Sequence, residues 1–204
     1  MKFQYFIVLF LMLSSCSTHT KQNVIVKEES NFTDATSDAA SESIFNLASV
    51  WHTEEGNAIE LKDLKGRALV MVMIYTSCKA ACPRLVADMK ALHDKVPINQ
   101  KDAVQYVLVS IDPVHDTPQK LKQFAISKEM DGAEWTFLQG DPESVREFAN
   151  VLSVKYKEIS PMDFSHSNII SVFSQEGVLV YQQEGLGVDN NETVEAIIKT
   201  IEKK

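Results

Sequence analysis

The chain has 204 residues, of which 45% are hydrophobic and 24% are charged, a composition typical of globular proteins. This length suits about one domain with an additional tail. The formal net charge of −8 argues against nucleic acid as a partner, because phosphates require a cationic surface. The three cysteines do not form the even, dispersed set of a disulfide framework, since one ends an N-terminal apolar run and two lie close together.

The N-terminus predicts a signal peptide. Residues 1–16 read MKFQYFIVLFLMLSSC, with an apolar run from Phe6 to Leu13 and small residues before Cys16. The apolar run is too short to span a bilayer as a stable helix. The ending LSSC resembles a bacterial lipobox, in which the cysteine becomes the acylated first residue of the mature protein. That resemblance implies lipidation at Cys16 and a domain anchored to a membrane of the bacterial envelope, on the periplasmic side. A plain secretory signal is the alternative.

Residues 17–42 are rich in Ser, Thr, Asp, Glu and Ala and have no apolar periodicity. Such a composition cannot bury enough apolar surface to offset the entropy of ordering. We therefore predict a flexible tether between the membrane and a folded domain of residues 43–204.

The first half of the domain predicts a hairpin, a buried strand and a helix. A strand is predicted from Phe45 to His52 and a returning strand from Ala58 to Leu61, on either side of a turn at residues 54–57. Ala68 to Tyr75 is continuously apolar, which is typical of a strand buried on both faces. An amphipathic helix is predicted over roughly Arg84 to Val96.

The second half alternates strands and helices. Val104 to Ile111 is predicted as a second buried strand. Thr117 and Asp141 are predicted N-caps of two helices, each followed by a proline at the tolerated first position. The remaining predicted elements are a short strand at Trp135 to Leu138, a hairpin of Ile169 to Ser174 with Val178 to Gln182, and a helix from Asn191 to Glu202. This order predicts an α/β fold with a mixed central sheet flanked by helices.

The chemistry of the chain is predicted at Cys78 and Cys82, where a buried strand leads into a helix. Four residues apart, the two thiols can share one helix face if the helix begins early. The partial positive charge of a helix N-terminus favours the thiolate, which is both a nucleophile and a metal ligand. Two thiolates support a reversible disulfide or a soft-metal site such as Cu(I). Two buried, inert cysteines are the third interpretation.

An imidazole would complete a three-coordinate copper site, and the chain has five histidines. His19 lies in the predicted tether, His52 on the first strand, and His93 near the outer face of a helix, where solvation is expected. His115 follows Asp112-Pro113 in a loop that could approach the cysteines. His166 lies in PMDFSHSN, predicted as an irregular segment before a hairpin strand. Its position alone leaves open whether it is a ligand or an ordinary loop histidine.

The stretch YTSCKAACPRLVADM resembles the C-x3-C-P motif of the Sco/SenC family of copper proteins, and VLVSIDPVHDTPQKLKQF resembles that family's aspartate–proline segment. The similarity continues through WTFLQGDPESVREFANVLSVKY and DFSHSNIISVFSQEGVLV. It implies a thioredoxin-like fold with an inserted hairpin. It also implies that Cys78, Cys82 and His166 match the two cysteines and the loop histidine that bind copper, as Cu(I) or Cu(II), in the family.

The resemblance implies a copper metallochaperone that binds one copper ion and helps to assemble the copper centre of a respiratory oxidase. The expected partners are a copper donor protein and a copper-accepting protein such as cytochrome c oxidase subunit II. The alternative is a thiol–disulfide oxidoreductase that reduces partner cysteines through Cys78 and Cys82 before metallation. A thiol peroxidase is a third option, for which the motif shows no dedicated peroxide pocket.

The chain departs from the family pattern at two places. Lys79 and Ala80 stand where many members have Pro and an acidic residue, and the nearby ammonium is expected to favour the thiolate. Ser165 stands where many members have an Asp directly before the histidine. An orienting carboxylate for His166 is therefore missing or displaced, with Asp163 the nearest acid.

Three methionines and two aspartates lie near these motifs in the sequence. Met71 and Met73 are predicted to pack in the core, and Met162 is a candidate fourth ligand because of its proximity to His166 in sequence. Asp112 and Asp116 match the family's loop beside the cysteines. We interpret them as turn and helix-start residues rather than ligands.

Overall fold

The computed structural model describes residues 42–161 and 163–202 of the chain. The predicted signal peptide, Cys16, His19, residues 17–41 of the predicted tether and Met162 lie outside the described residues. The predictions made for them stay predictions.

The strands of the described residues form a seven-stranded sheet and a separate two-stranded ribbon. The strands are β1 (Val50–Thr53), β2 (Ala58–Glu60), β3 (Ala68–Ile74), β4 (Val104–Ser110), β5 (Trp135–Gln139), β6 (Tyr156–Ser160), β7 (Asp163–His166), β8 (Ile169–Phe173) and β9 (Leu179–Glu184).

The large sheet has the order β2-β1-β5-β4-β3-β8-β9. Its centre is parallel, because β4 pairs in parallel with both β3 and β5. Its two sides are antiparallel, through β1 with β2 and β5 on one side and β8 with β3 and β9 on the other. The predicted mixed sheet and N-terminal hairpin are thus confirmed.

Four α-helices flank the sheet in the described residues: α1 (Cys82–Lys95), α2 (Pro118–Ser127), α3 (Pro142–Val151) and α4 (Asn191–Glu202). Both predicted caps are present. The Thr117 side chain accepts a hydrogen bond from the Lys120 N–H, and Asp141 accepts from the N–H groups of Glu143 and Ser144. None of these helices combines the length and the hydrophobicity that crossing a bilayer requires.

The core is centred on β3 and β4, in which every residue is buried. Met71 and Met73 lie there, as predicted. Trp51 and Trp135 are also packing residues, and the Trp51 ring meets Phe148 edge-on with the ring centroids 5.6 Å apart. Gly140 lies against the same indole, because a Cβ at this position would approach it to 2.7 Å.

The predicted first strand was too long at its start. Ile44–Asn46 forms a 3-10 turn, because the Ser43 side chain caps the Phe45 N–H and the Ile44 N–H donates to the distant Gly177 carbonyl. The strand begins only at Val50. The returning strand also ends one residue early, since Leu61 begins a second 3-10 helix, Leu61–Leu64. A third, Ile98–Ala103, was not predicted.

The two-stranded ribbon was implied by the resemblance but not located in the sequence. Tyr156 pairs with His166 and Lys157 with Ser165 in antiparallel register. The prediction that His166 lies in an irregular segment is therefore wrong, because it is the last residue of β7. The side chains of β6 are mostly exposed, so this strand lacks the alternation that would have revealed it.

Candidate metal centre

The two motif cysteines lie where β3 leads into α1. The Cys78 N–H donates to the Tyr75 carbonyl at 3.2 Å and closes a turn after the strand. Cys82 is the first residue of α1, two residues before the predicted start. Its N–H donates to Cys78 Sγ at 3.2 Å, so the sulfur of the first cysteine satisfies a free donor at the helix N-terminus. The helix begins before the predicted Arg84 but does not include Cys78, so this hydrogen bond, and not a shared helix face, brings the two cysteines together.

His166 approaches the cysteines from the ribbon. Its Nε2 lies 3.8 Å from Cys82 Sγ, and its Nδ1 lies 3.0 Å from the Ser167 carbonyl. A carbonyl only accepts, so Nδ1 must carry the proton, and the Nε2 lone pair faces the sulfur. Burial lowers the pKa of His166 despite the opposing Ser167 hydrogen bond. The ring is thus held neutral, in the tautomer that can bind a metal through Nε2.

The Ser167 carbonyl supplies the orienting hydrogen bond that an adjacent carboxylate was expected to supply. Ser165 is exposed and contributes nothing to the ring of His166. Asp163 is directed elsewhere, because its Oδ1 accepts a hydrogen bond from Tyr75 Oη at 2.7 Å. Of the two predicted alternatives, the structure favours a missing carboxylate, because a backbone oxygen orients the His166 ring and Asp163 bonds to Tyr75 instead.

Tyr75 connects the cysteine loop with the ribbon, a role that no sequence pattern predicts. Its hydroxyl also lies 3.0 Å from the Phe164 carbonyl, and its ring packs edge-on against Phe164 and His166, with centroids 5.2 and 5.8 Å away. Burial and the hydrogen bond to Asp163 raise the pKa of Tyr75, so the hydroxyl keeps its proton. The Tyr75 carbonyl in turn accepts the Cys78 N–H, so the same residue contacts the first cysteine.

The two thiols differ in their readiness to ionise. Burial opposes ionisation of Cys78, but hydrogen bonds from Cys82, Tyr75 and the Ala80 backbone outweigh it and lower the pKa of Cys78. Burial, reinforced by the Cys78 sulfur nearby, raises the pKa of Cys82. The Lys79 side chain is exposed, and the lowering comes from hydrogen bonds rather than from its ammonium.

The aspartates beside the site are structural, as predicted. Asp116 is fully buried and accepts hydrogen bonds from the Thr76 N–H at 3.0 Å and from Ser110 Oγ at 2.7 Å. It thereby ties the start of the cysteine loop to the end of β4. Asp112 holds His115, whose Nδ1 lies 2.8 Å from Asp112 Oδ1. His115 is therefore paired with a carboxylate, not with either thiol.

The remaining histidines lie away from the thiols. His52 is exposed on β1, as expected. The prediction that His93 is solvated is wrong, because its ring packs against Tyr106 and Trp135 with centroid distances of 5.4 Å. Its Nδ1 lies 3.1 Å from Asp94 Oδ1 and its Nε2 lies 3.5 Å from Glu134 Oε1, so packing and two carboxylates account for this histidine.

The donor set suits a soft metal, because two sulfurs and one imidazole are ligands that Cu(I) prefers. The contacts join Cys78 to Cys82 and Cys82 to His166 in pairs. Within residues 42–161 and 163–202, no three His, Cys, Asp or Glu side chains form a complete metal-binding cluster. Binding by all three would therefore require Cys78 Sγ, which faces the Cys82 N–H, to turn toward the space between Cys82 and His166.

The chain resembles several known proteins. The family model described as SCO1/SenC matches residues 33–203. The SCO1 protein homolog of Bacillus subtilis (strain 168) is 33% identical over 100 residues, which cover 48% of this chain and 51% of that protein. The match thus spans about half the length of this curated relative.

Two solved structures show the same fold. Arabidopsis thaliana ScoI with copper bound superposes with a TM-score of 0.67 at 22% identity, covering 76% of this chain and 97% of that one. A SCO1/SenC family lipoprotein from Bacillus anthracis superposes with a TM-score of 0.68 at 23% identity, covering 78% and 96%. These similarities confirm the thioredoxin-like fold. Because the family model covers most of its length, this chain belongs to the SCO1/SenC family.

Proposed function

We propose that this protein is a copper metallochaperone that binds one copper ion through Cys78, Cys82 and His166. The observation that carries the proposal is the 3.8 Å approach of His166 Nε2 to Cys82 Sγ, across 84 residues of sequence. A neutral imidazole and a sulfur this close can bind the same ion. The copper held by the ScoI structure from Arabidopsis thaliana supports the choice of metal.

Copper would be cargo here, and the burial of the ligands suits its exchange. Cys82 is buried, whereas Cys78 and His166 are partly exposed. A partner's thiolate can therefore approach the metal from the side of Cys78 and His166 and displace these ligands first. Sco proteins are linked to copper delivery to cytochrome c oxidase, so we propose oxidase subunit II as the recipient and a separate protein as the copper donor.

We also propose that the signal peptide is removed and that lipid on Cys16 anchors the domain to the membrane. Residues 17–42 would then be the tether between the membrane and the domain. The Bacillus anthracis structural relative is a lipoprotein, which supports this arrangement. With this proposed anchor, the copper site would lie on the periplasmic side of the envelope, where an oxidase copper domain would be accessible.

X-ray absorption and metal analysis of the reduced, copper-bound protein test the proposed site. We expect one copper ion per chain, with two sulfur ligands and one nitrogen ligand. His166→Ala should remove the nitrogen ligand and weaken binding, while His52→Ala, at an exposed histidine on β1, should change neither. A copper affinity and ligand set unchanged in His166→Ala would remove His166 from the site.

The unequal thiols favour a second candidate function, a thiol–disulfide oxidoreductase. Cys78 is the more exposed thiol with the lowered pKa, which suits the attacking nucleophile, and buried Cys82 suits the resolving thiol. This chemistry needs both cysteines but not His166. In a cell-based oxidase-assembly assay, failure of Cys82→Ser together with normal function of His166→Ala would favour the reductase over the chaperone.

A further inference from the structure

The ribbon of β6 and β7 carries His166 but is not part of the main sheet. Its strands pair with each other, and neither pairs with a strand of the seven-stranded sheet. Most of its side chains are at least partly exposed, so little buried apolar surface fixes its position. The distance from His166 to the thiols therefore depends on specific contacts between this ribbon and the rest of the domain.

Tyr75 supplies such contacts from the start of the cysteine loop. Its hydroxyl bonds to the side chain of Asp163 and to the backbone of Phe164, the first two residues of β7. Its ring lies edge-on to Phe164 and to His166 itself. One residue next to β3 thus contacts the beginning and the end of the strand that presents the imidazole.

Tyr75 also lies close to the thiols. It is three residues before Cys78, and its carbonyl accepts the Cys78 N–H at 3.2 Å. The same residue therefore has contacts with the first cysteine and with the strand that carries the histidine. The raised pKa keeps the hydroxyl protonated, which the donation to Asp163 requires.

We propose that Tyr75 and Asp163 form a latch that sets the position of His166 over the two cysteines. Ser165 leaves this chain without a carboxylate directly before the histidine, and Asp163 acts on the strand through Tyr75 rather than on the ring. Tyr75 is a positioning residue, and its effect reaches copper through His166. The inference rests on the proposed function for its consequence in metal binding, but the latch itself exists in the metal-free protein.

Tyr75→Phe removes the hydroxyl and keeps the ring, so the core should remain folded. In the metal-free protein we expect faster amide hydrogen exchange in residues 163–166, with the exchange of β3 and β4 unchanged. In the copper-bound protein we expect an affinity about 10- to 100-fold lower, the usual effect of removing a partner that orients a metal ligand. The copper spectrum should shift toward that of His166→Ala.

The matched control is Tyr106→Phe. Tyr106 is fully buried on β4, and its hydroxyl has no hydrogen-bond partner within the described residues, so this variant removes a tyrosine hydroxyl without touching the latch. Asp163→Asn keeps an acceptor for Tyr75 and should behave like the wild type. Asp163→Ala should fall between the wild type and Tyr75→Phe, because the Phe164 carbonyl still accepts.

The outcomes separate the latch from the proposed function. If His166→Ala weakens copper binding but Tyr75→Phe changes neither hydrogen exchange in β7 nor the copper spectrum, the latch is wrong and the copper site stands. If Tyr75→Phe loosens β7 while His166→Ala binds copper as the wild type does, the latch stands and the metal role of His166 is wrong. Equal losses in Tyr75→Phe and Tyr106→Phe would also overturn the latch.

Discussion

The N–H of Cys82 donates a hydrogen bond to the Sγ of Cys78 at 3.2 Å, so one candidate ligand stabilises the charge of the other. The two thiols are consequently not equivalent. Cys78 Sγ accepts this hydrogen bond at the N-terminus of α1, where the helix dipole adds a favourable field for an anion. Cys82, by contrast, is buried and lies close to the Cys78 sulfur.

Alkylation of the reduced, metal-free protein should therefore modify Cys78 before Cys82. The lowered pKa of Cys78 gives it the larger thiolate fraction near neutral pH, whereas burial raises the pKa of Cys82 and restricts access. The alkylation rate of Cys78 should rise with pH, with a midpoint below the ordinary thiol pKa of 9.0. Limited treatment with iodoacetamide followed by peptide mass spectrometry measures the order. Preferential labelling of Cys82 would contradict the assigned asymmetry.

The same hydrogen bond makes Cys78 a stabilising residue of the metal-free fold. Cys78→Ala removes the acceptor for the Cys82 N–H, and we expect a loss of about 1 kcal/mol in the free energy of unfolding. Cys78→Ser keeps an oxygen acceptor and is the matched control. Urea denaturation of both variants under reducing conditions compares them. Equal stability of the two would show that the sulfur does not act as a cap.

The central strands and the helix starts could be predicted because their signals are local. The buried runs of β3 and β4 and the capping side chains of Thr117 and Asp141 depend on neighbouring residues alone. The start of β1 could not be predicted, because the turn at Ile44–Asn46 is fixed by a hydrogen bond to Gly177. No local pattern reveals a partner so distant in the chain.

The candidate site was predictable in its residue types but not in its geometry. The pair Cys78 and Cys82 follows from spacing, and His166 followed only from the resemblance. The roles of Tyr75 and Asp163 depend on a contact between residues 88 positions apart in the sequence. From the sequence alone, a tyrosine at the end of an apolar strand is interpreted as a core residue. The packing of His93 on α1 could not be predicted for the same reason, because its aromatic neighbours Tyr106 and Trp135 lie on β4 and β5.

Asp116→Asn tests how firmly the cysteine loop is tied to β4. The buried carboxylate accepts from the Thr76 N–H and Ser110 Oγ, and Lys120 Nζ lies 3.4 Å away. An amide offers one acceptor oxygen and brings its own donors against these groups, so we expect a loss of roughly 2 kcal/mol in the free energy of unfolding. Chemical denaturation measures it.

The control for Asp116→Asn is Asp131→Asn, which removes a charge from an exposed side chain. We expect its stability to stay within about 0.5 kcal/mol of the wild type, as is usual for surface changes. If the two variants lose stability equally, the buried carboxylate is not what holds the loop.

The partly buried imidazole of His166 predicts a pH dependence of stability in the metal-free protein. Burial lowers the pKa of His166 below its ordinary 6.5, whereas the unfolded chain takes up the proton near that value. The unfolded state therefore binds more protons in the window just below pH 6.5, so the free energy of unfolding falls as the pH drops through it. Above that window the contribution is constant, because the ring is neutral in both states.

His166→Gln should lose this dependence, because glutamine does not titrate. The quantity to compare is the difference in unfolding free energy between neutral and mildly acidic buffer, measured by urea denaturation for the wild type and the variant. The wild type should lose more stability on acidification than His166→Gln, and His52→Gln, at an exposed position on β1, should follow the wild type. An identical pH profile for the wild type and His166→Gln would mean that the imidazole is as well solvated in the folded chain as in the unfolded chain. That result would contradict the position of the ring beside Cys82 and Tyr75.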